Sequence, residues 1–299
     1  MASEITHDFP GFFKVLKDGR IERYLNSDFV PPGIDEETGI QTKDVVVSSS
    51  GVKARIFLPK IDDPSKKLPL VIHYHGGGFC IGSALSASFK TFLSALSSQA
   101  NVVAISVEYR LAPENLLPIA YDDCYAALQW IAGHSGGGGP EPWLNQHADL
   151  NRVILAGESA GANLAHYVGV QAGAKSLTGV NISKLLIIHP FFGSNDPDPI
   201  YIYMYPSSPG NNDEPKLNPG VDPELKKLKC EKIMVCLAEK DFLKSRGVFY
   251  CEIMRKNGWD EKLELYETKG EEHCFYLFNP RSPNLAPLIK TMVDFIKFD

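Results

Sequence analysis

The sequence predicts an α/β fold, with one mostly parallel sheet of about eight strands and helices on both faces. Three observations carry that expectation. Near-continuous apolar runs such as PLVIHYH (69–75) and NVVAISVEY (101–109) have the make-up of strands buried on both faces. Helical stretches alternate with them, beginning with SASFKTFLSALSSQ (86–99) between those two runs, which is a βαβ pattern. A third run, RVILA, enters a glycine-flanked serine from which NLAHYVG departs, so a strand meets a helix there in a tight turn.

Within the first 60 residues, RIERYL, KDVVVSS and VKARIFLP have β-branched content and turn-residue borders, and they predict an antiparallel start. After the first βαβ unit the alternation repeats. YDDCYAALQWIAGH reads as a helix, NRVILAG as a strand and GANLAHYVGVQAG as a helix. KLLIIHP and EKIMVCLAEKD read as strands, SRGVFYCEIMRKNG as a helix, KLELYET as a strand and LAPLIKTMVDFIKF as a closing amphipathic helix. HSGGGGPEP (134–142) reads as a surface loop and lacks the Lys-Ser/Thr of a phosphate-binding loop. The stretch 191–220 is rich in Pro, Asn and Asp, holds a Tyr/Met cluster, and interrupts the alternation between two strands. Insertions after parallel strands lie over the ligand face of an open sheet. No internal repeat is visible, and residues 1–299 read as a single domain.

The bulk properties exclude several classes. The 299 residues are 44% hydrophobic, with a net charge of −6. That balance disfavours nucleic acid and anionic membranes as partners, both of which call for a basic face. No run approaches the length of a membrane span, and the first 20 residues carry acidic side chains and no apolar core of a signal peptide. Six cysteines are scattered without CxxC spacing, so they read as reduced thiols. The expectation is a cytoplasmic protein, with the nucleus as a further compartment, working as a monomer or homodimer on a small molecule. The NIS at Asn181–Ser183 then matches a glycosylation sequon by chance.

The glycine-flanked serine is Gly157-Glu158-Ser159-Ala160-Gly161, a G-x-S-x-G. Small neighbours are needed because the turn is cramped, and it lifts the serine hydroxyl clear at the head of a helix. A glycine-rich turn without chemistry is the bland alternative. HYHGGGF (73–79) follows an earlier strand, and its three glycines let backbone N–H groups converge without Cβ obstruction. Gly76, Gly77, Gly78 and Ala160 are therefore assigned to an oxyanion hole, with the donors expected at Gly77, Gly78 and Ala160. His73 and His75 share a strand face without a third ligand, so neither a metal nor another cofactor is expected, and His75 is read as a loop anchor.

A serine nucleophile needs a base, and the base needs an orienting carboxylate. Asp241 stands just past the run IMVCLA, and His273 lies in the loop after LELYET, which gives the order Ser, Asp, His with each after a strand. Singly, Asp241 reads equally well as a helix N-cap and His273 as a loop histidine. The coincidence of elbow, glycine loop, acid and histidine favours a catalytic triad of Ser159, Asp241 and His273. Glu239, Glu271 and Glu272 compete as the acid, and Asp241 is preferred for its place at the strand end. Glu158 is read as structural, bonding nearby backbone. Phe79, Tyr201, Tyr203, Tyr205 and Phe275 are candidate pocket residues, with packing of the insertion as the equal alternative for the tyrosines, and an aromatic-lined pocket would suit a phenolic or terpenoid ester as the small-molecule substrate.

HYHGGGF, EYRLAPE, GESAGAN, HPFF, EKDFL and GEEHCFYLF, in that order, resemble the plant carboxylesterases of the hormone-sensitive-lipase group, and the first 60 residues extend the likeness over nearly the whole chain. The resemblance implies an α/β-hydrolase fold, with a small cap built from about residues 1–40 and the insertion at about 191–220. That family includes esterases of small acyl esters, 2-hydroxyisoflavanone dehydratases and gibberellin receptors that have lost the histidine. It also includes alkaloid-pathway cyclases. Retention of Ser159, Asp241 and His273 implies catalysis: carboxylic ester hydrolysis through an acyl-enzyme, with elimination on the same site as the alternative and a hormone receptor as the more distant one. The stretch 193–220 is short for the family's insertion.

Overall fold

The computed structural model describes residues 4–298. The first described elements form a small antiparallel sheet of β1 (Ile5–Phe9), β2 (Phe13–Leu16) and β3 (Ile21–Arg23). RIERYL foreshadowed β3. The mostly exposed β1 carries no apolar alternation that would announce it. The chain then runs through β4 (Gln41–Val46), β5 (Lys53–Leu58), β6 (Leu68–Tyr74), α1 (Ala87–Ala100) and β7 (Val103–Glu108). Next come α2 (Ile119–Ala132), α3 (Pro142–His147), β8 (Ala148–Glu158), α4 (Ala160–Ala174), β9 (Ile182–Ile188) and α5 (Pro199–Met204). It closes with β10 (Lys232–Ala238), α6 (Lys244–Met254), β11 (Leu263–Thr268), α7 (Phe275–Phe278) and α8 (Leu285–Ile296).

Strands β4 to β11 make one 8-stranded sheet in the order β11-β10-β9-β8-β6-β7-β5-β4. The pairs β4–β5 and β5–β7 are antiparallel and the others parallel, as the antiparallel start and later βα alternation imply. The continuous apolar runs are explained by burial on both faces. On β8, Val153 and Leu155 point into a core under α2, α4 and α6, while Ile154 and Ala156 point into a second core under α1 and α8. Every residue of β9 is buried.

The topology fixes where chemistry can occur. The chain leaves β6 toward β7 on one side and later returns to β8 on its other side, so the strand order reverses at β6. The loop after β6, Ser159 after β8, Asp241 after β10 and His273 after β11 all lie beyond the carboxyl ends of parallel strands. Above that edge, α5 is the insertion's α-helix, capped by the Asp198 side chain accepting the Tyr201 N–H. Tyr203 of α5 packs 5.0 Å from the Phe9 ring and 4.8 Å from His7, tying the insertion to the N-terminal sheet. Arg23 fastens that sheet to the body through a bidentate pair with Glu114 and bonds to the carbonyls of Cys80 and Ala112. Among the described residues, no helix is long and apolar enough to cross a membrane.

Candidate active site

Ser159 connects β8 to α4 with φ +56° and ψ −121°, a conformation that a residue with a side chain adopts only when its surroundings impose it. Two backbone bonds do so here. The Ser159 N–H donates to Ile188 O at 2.9 Å, and Phe191 N–H donates to Ser159 O at 3.0 Å. The flanking glycines are steric necessities. A Cβ at Gly157 would lie 2.7 Å from Tyr74 O, and one at Gly161 would lie 2.7 Å from His75 O and nearer still to Tyr74 O. The Ser159 hydroxyl makes no capping bond to α4, and Ser159 lines the same cavity as His273.

The carboxylate of Asp241 divides its two oxygens. Oδ2 meets His273 Nδ1 at 2.8 Å, and Oδ1 accepts the Leu243 N–H at 2.7 Å. Asp241 is therefore the partner of the histidine and braces the turn before α6, but it is not that helix's N-cap, which is Leu243 without a side-chain cap bond. Two of the three competing acids are engaged elsewhere: Glu239 accepts the Gly270 N–H, and Glu271 accepts from Ser282 and Asn284. Sequence reasoning assigned no role to His189, at the end of β9. Its Nδ1 accepts the Cys274 N–H at 2.8 Å, which holds the loop that carries His273. The signal lay in HPFF, a histidine at a strand end with a φ of +42°. His189, His273 and Cys274 bring three possible ligand atoms within 4.8 Å of one another. Burial pushes the Cys274 thiol well up, and His273 is already oriented by Asp241, so these groups are not set up as a metal centre.

The glycine loop supplies the electrophilic side. The N–H groups of Gly77, Gly78 and Ala160 find no acceptor in the backbone network of the described residues. Gly77 sits at φ +110° and Gly78 at φ +58°, where a Cβ on Gly78 would come 2.7 Å from the Phe12 ring. Gly76 is a correction to the sequence assignment. Its N–H donates to Glu158 Oε1 and is not free for an oxyanion. The other Glu158 oxygen lies 2.8 Å from His73 Nε2, and His73 Nδ1 lies 2.9 Å from Ser106 Oγ, all fully buried. Glu158 is thus structural, as expected, and it ties the glycine loop to the residue before Ser159. His75 anchors that loop through Nδ1 to Gly76 O at 2.7 Å and a ring stack on Tyr109.

These groups open into a cavity of about 650 Å³, bounded by Ser159, His273, the glycine loop, Phe79, Tyr201 and Met204. It extends past Phe12, Leu25, Phe242 and Phe278. Phe79 and Tyr201 line it. Phe275 does not; it is buried in the opposite core, stacked 6.2 Å from His189, because α7 turns that side chain beneath the sheet edge. Tyr203 packs on the N-terminal sheet instead, and Tyr205 lies beside Lys216. One ion pair interrupts the apolar wall: Arg246 donates to Asp198 at 3.1 Å and stacks on Phe191.

Buried histidines give the fold an acid limit. Burial pushes His166 and His189 down to about 3. Between that value and the unfolded value near 6.5, the unfolded chain binds more protons, so stability falls as pH falls through that window. The expected slope is about 1.4 kcal/mol per pH unit for each histidine. Urea unfolding at pH 7, 5 and 4 should show the midpoint falling steeply below pH 6, and a flat midpoint would contradict the burial of these rings.

Comparison with known proteins agrees with this fold. A model of the alpha/beta hydrolase fold family matches residues 71–277. The chain is 39% identical over 318 residues to a 2-hydroxyisoflavanone dehydratase of Glycyrrhiza echinata, covering 99% of this chain and 97% of that one. It is 38% identical over 328 residues to probable carboxylesterase 13 of Arabidopsis thaliana, covering both chains completely. An esterase of Pyrobaculum calidifontis superposes with a TM-score of 0.71 at 25% identity, over 89% of this chain and 86% of that one. A thermostable carboxylesterase cloned from a metagenomic library gives 0.70 at 26%, over 89% and 90%. The chain belongs to the alpha/beta hydrolase fold family, in the group of plant carboxylesterases and 2-hydroxyisoflavanone dehydratases.

Proposed function

We propose that the protein is a serine carboxylesterase acting on small-molecule esters. The observation that carries this reading is the His273–Asp241 bond at 2.8 Å in a cavity shared with a strained, unoccupied serine hydroxyl and three free N–H groups. His273, oriented by Asp241, takes the Ser159 proton as Oγ attacks the acyl carbonyl. The N–H groups of Gly77, Gly78 and Ala160 bind the oxyanion, and loss of one such donor typically costs about 2.7–4 kcal/mol. His273 then delivers the proton to the leaving alcohol oxygen as its bond to the acyl carbon breaks. Water, deprotonated by the same histidine, releases the acid and restores Ser159. No step calls on a cofactor.

The N-terminal segment of about residues 1–40, of which 1–3 lie outside the described residues, and the insertion at about 191–220 act as a cap over one catalytic domain. Support comes from Phe12, Leu25, Ile200 and Tyr201, which all line the cavity. Six free cysteines, five of them buried, suit the cytoplasm or nucleus.

Elimination is the second reading, favoured by the dehydratase relatives. There His273 would remove a proton α to a carbonyl, and the same N–H groups would hold the enolate. Collapse of the enolate would break the β C–O bond and expel the hydroxyl as water with the proton His273 took, while Ser159 would only donate a hydrogen bond. Pre-steady-state assays on p-nitrophenyl acetate, butyrate and octanoate, beside a 2-hydroxyisoflavanone, separate the two. The expected result is a nitrophenol burst equal to the enzyme concentration on the short esters. Dehydration without a burst would overturn the esterase reading.

A further inference from the structure

The cavity has a buried inner end and an apolar mouth. Phe79, Tyr201 and Met204 are almost wholly covered at the inner end. At the mouth, Leu25 is 57% exposed, Phe242 74% and Phe278 72%. Scattered exposed apolar side chains call for no explanation. Three large ones lining one cavity, contributed by three separate segments, are not scattered in that sense, and exposed apolar surface gathered at a cavity marks a binding surface. Phe242 is also fixed relative to the chemistry. It follows Asp241 directly, and its ring centroid lies 4.9 Å from that of His273. Phe278 ends α7, the helix that begins two residues after His273.

The reaction sets which part of an ester meets this patch. The carbonyl oxygen must face Gly77, Gly78 and Ala160, and the leaving oxygen must lie within hydrogen-bond reach of His273. The alcohol portion therefore departs on the histidine side, where Phe242 stands. We infer that Phe242 and Phe278 form the binding platform for the alcohol portion of the substrate, and that this portion is a large, flat apolar group such as an aryl or fused-ring alcohol. The inference rests on the esterase reading. A flat apolar group seated at this rim need not enter the closed inner end, and it takes exposed aromatic surface out of water when it binds. Because both side chains are solvent-exposed, their replacement leaves the cores untouched.

The test holds the acyl group constant as acetyl and varies the alcohol from ethanol to benzyl alcohol to 2-naphthylmethanol. These three alkyl alcohols have comparable leaving groups. The ratio of kcat/KM for the naphthylmethyl ester to that for the ethyl ester should fall about tenfold in Phe242→Ala, and less in Phe242→Leu and Phe278→Ala. A second series, ethyl acetate to ethyl hexanoate, should show its chain-length ratio moving less than about twofold in the same variants. Equal movement of both ratios, or movement of neither, overturns the inference while leaving the esterase reading intact. Unmoved ratios together with loss of self-association in Phe242→Ala would assign the patch to contact between copies of the chain. No turnover by wild type on any of these esters removes the esterase reading itself, and the inference with it.

Discussion

Ser159→Ala is expected to lower kcat on p-nitrophenyl butyrate by about 10⁶-fold and to abolish the nitrophenol burst. The acyl-enzyme needs an oxygen nucleophile at the elbow, and alanine offers none. The residual rate, about 10³-fold over water, reflects the oxyanion donors and binding alone. Alanine keeps the small Cβ that the turn already tolerates at φ +56°. The variant should therefore fold, and circular dichroism with an unchanged urea midpoint would show that the loss is chemical. Asp241→Asn makes the companion measurement. The amide preserves the acceptor for Leu243 N–H but offers the His273 ring the wrong hydrogen-bond pattern, and a kcat loss of about 10⁴-fold is expected. The two losses should not add in the double variant, because the residues act as one unit. Ester turnover above a tenth of wild type in Ser159→Ala would refute covalent catalysis at this site. Retained dehydration of a 2-hydroxyisoflavanone by the same variant would point to elimination.

The parts of the site legible in sequence were those that geometry forces on particular residue types. Gly157 and Gly161 must be glycine because backbone oxygens occupy their Cβ positions, so the pattern around Ser159 is a steric record. The order of Ser159, Asp241 and His273 was readable because each follows a strand: the runs before Ser159 and Asp241 are apolar and buried on both faces, while LELYET before His273 is a half-exposed edge strand marked by its alternation. The glycine loop was readable only as a unit. Which of its N–H groups stays free depends on Glu158, whose carboxylate reaches across from the next strand to take that of Gly76. The pocket was the least legible part. Phe275 and Phe278 lie on one short helix, yet one ring is buried under the sheet edge and the other is largely exposed at the mouth. Composition alone cannot tell two phenylalanines three residues apart which way a one-turn helix will face. Phe242, which lines the mouth, carried a usable signal, a large aromatic immediately after Asp241 at a strand end.

Glu158→Ala is expected to damage both stability and rate, and the balance between them defines what this carboxylate does. The side chain is fully buried between the His73 ring and the Gly76 N–H. Removing one partner from a buried charged cluster leaves the others unsatisfied, at about 3–5 kcal/mol. For a chain of this length that corresponds to a fall in Tm of about 10 °C. Below that transition the glycine loop, no longer tied to the residue before Ser159, loses its fixed approach to the oxyanion. A kcat loss of about 100-fold with little change in KM should follow, because the misplaced donors matter chiefly in the transition state. Glu158→Gln separates charge from geometry. Its carbonyl oxygen accepts from Gly76, and its amide donates to His73 once the ring shifts its proton to Nδ1 and donates it to Ser106 Oγ. Gln should therefore recover most of the rate. Binding of a trifluoromethyl ketone, which presents a tetrahedral oxyanion, should follow kcat across the three proteins, while binding of an unreactive product acid should not. A destabilised Glu158→Ala with wild-type kcat and ketone affinity would restrict Glu158 to holding the sheet together. The oxyanion donors would then be positioned by His75 and the glycine loop alone.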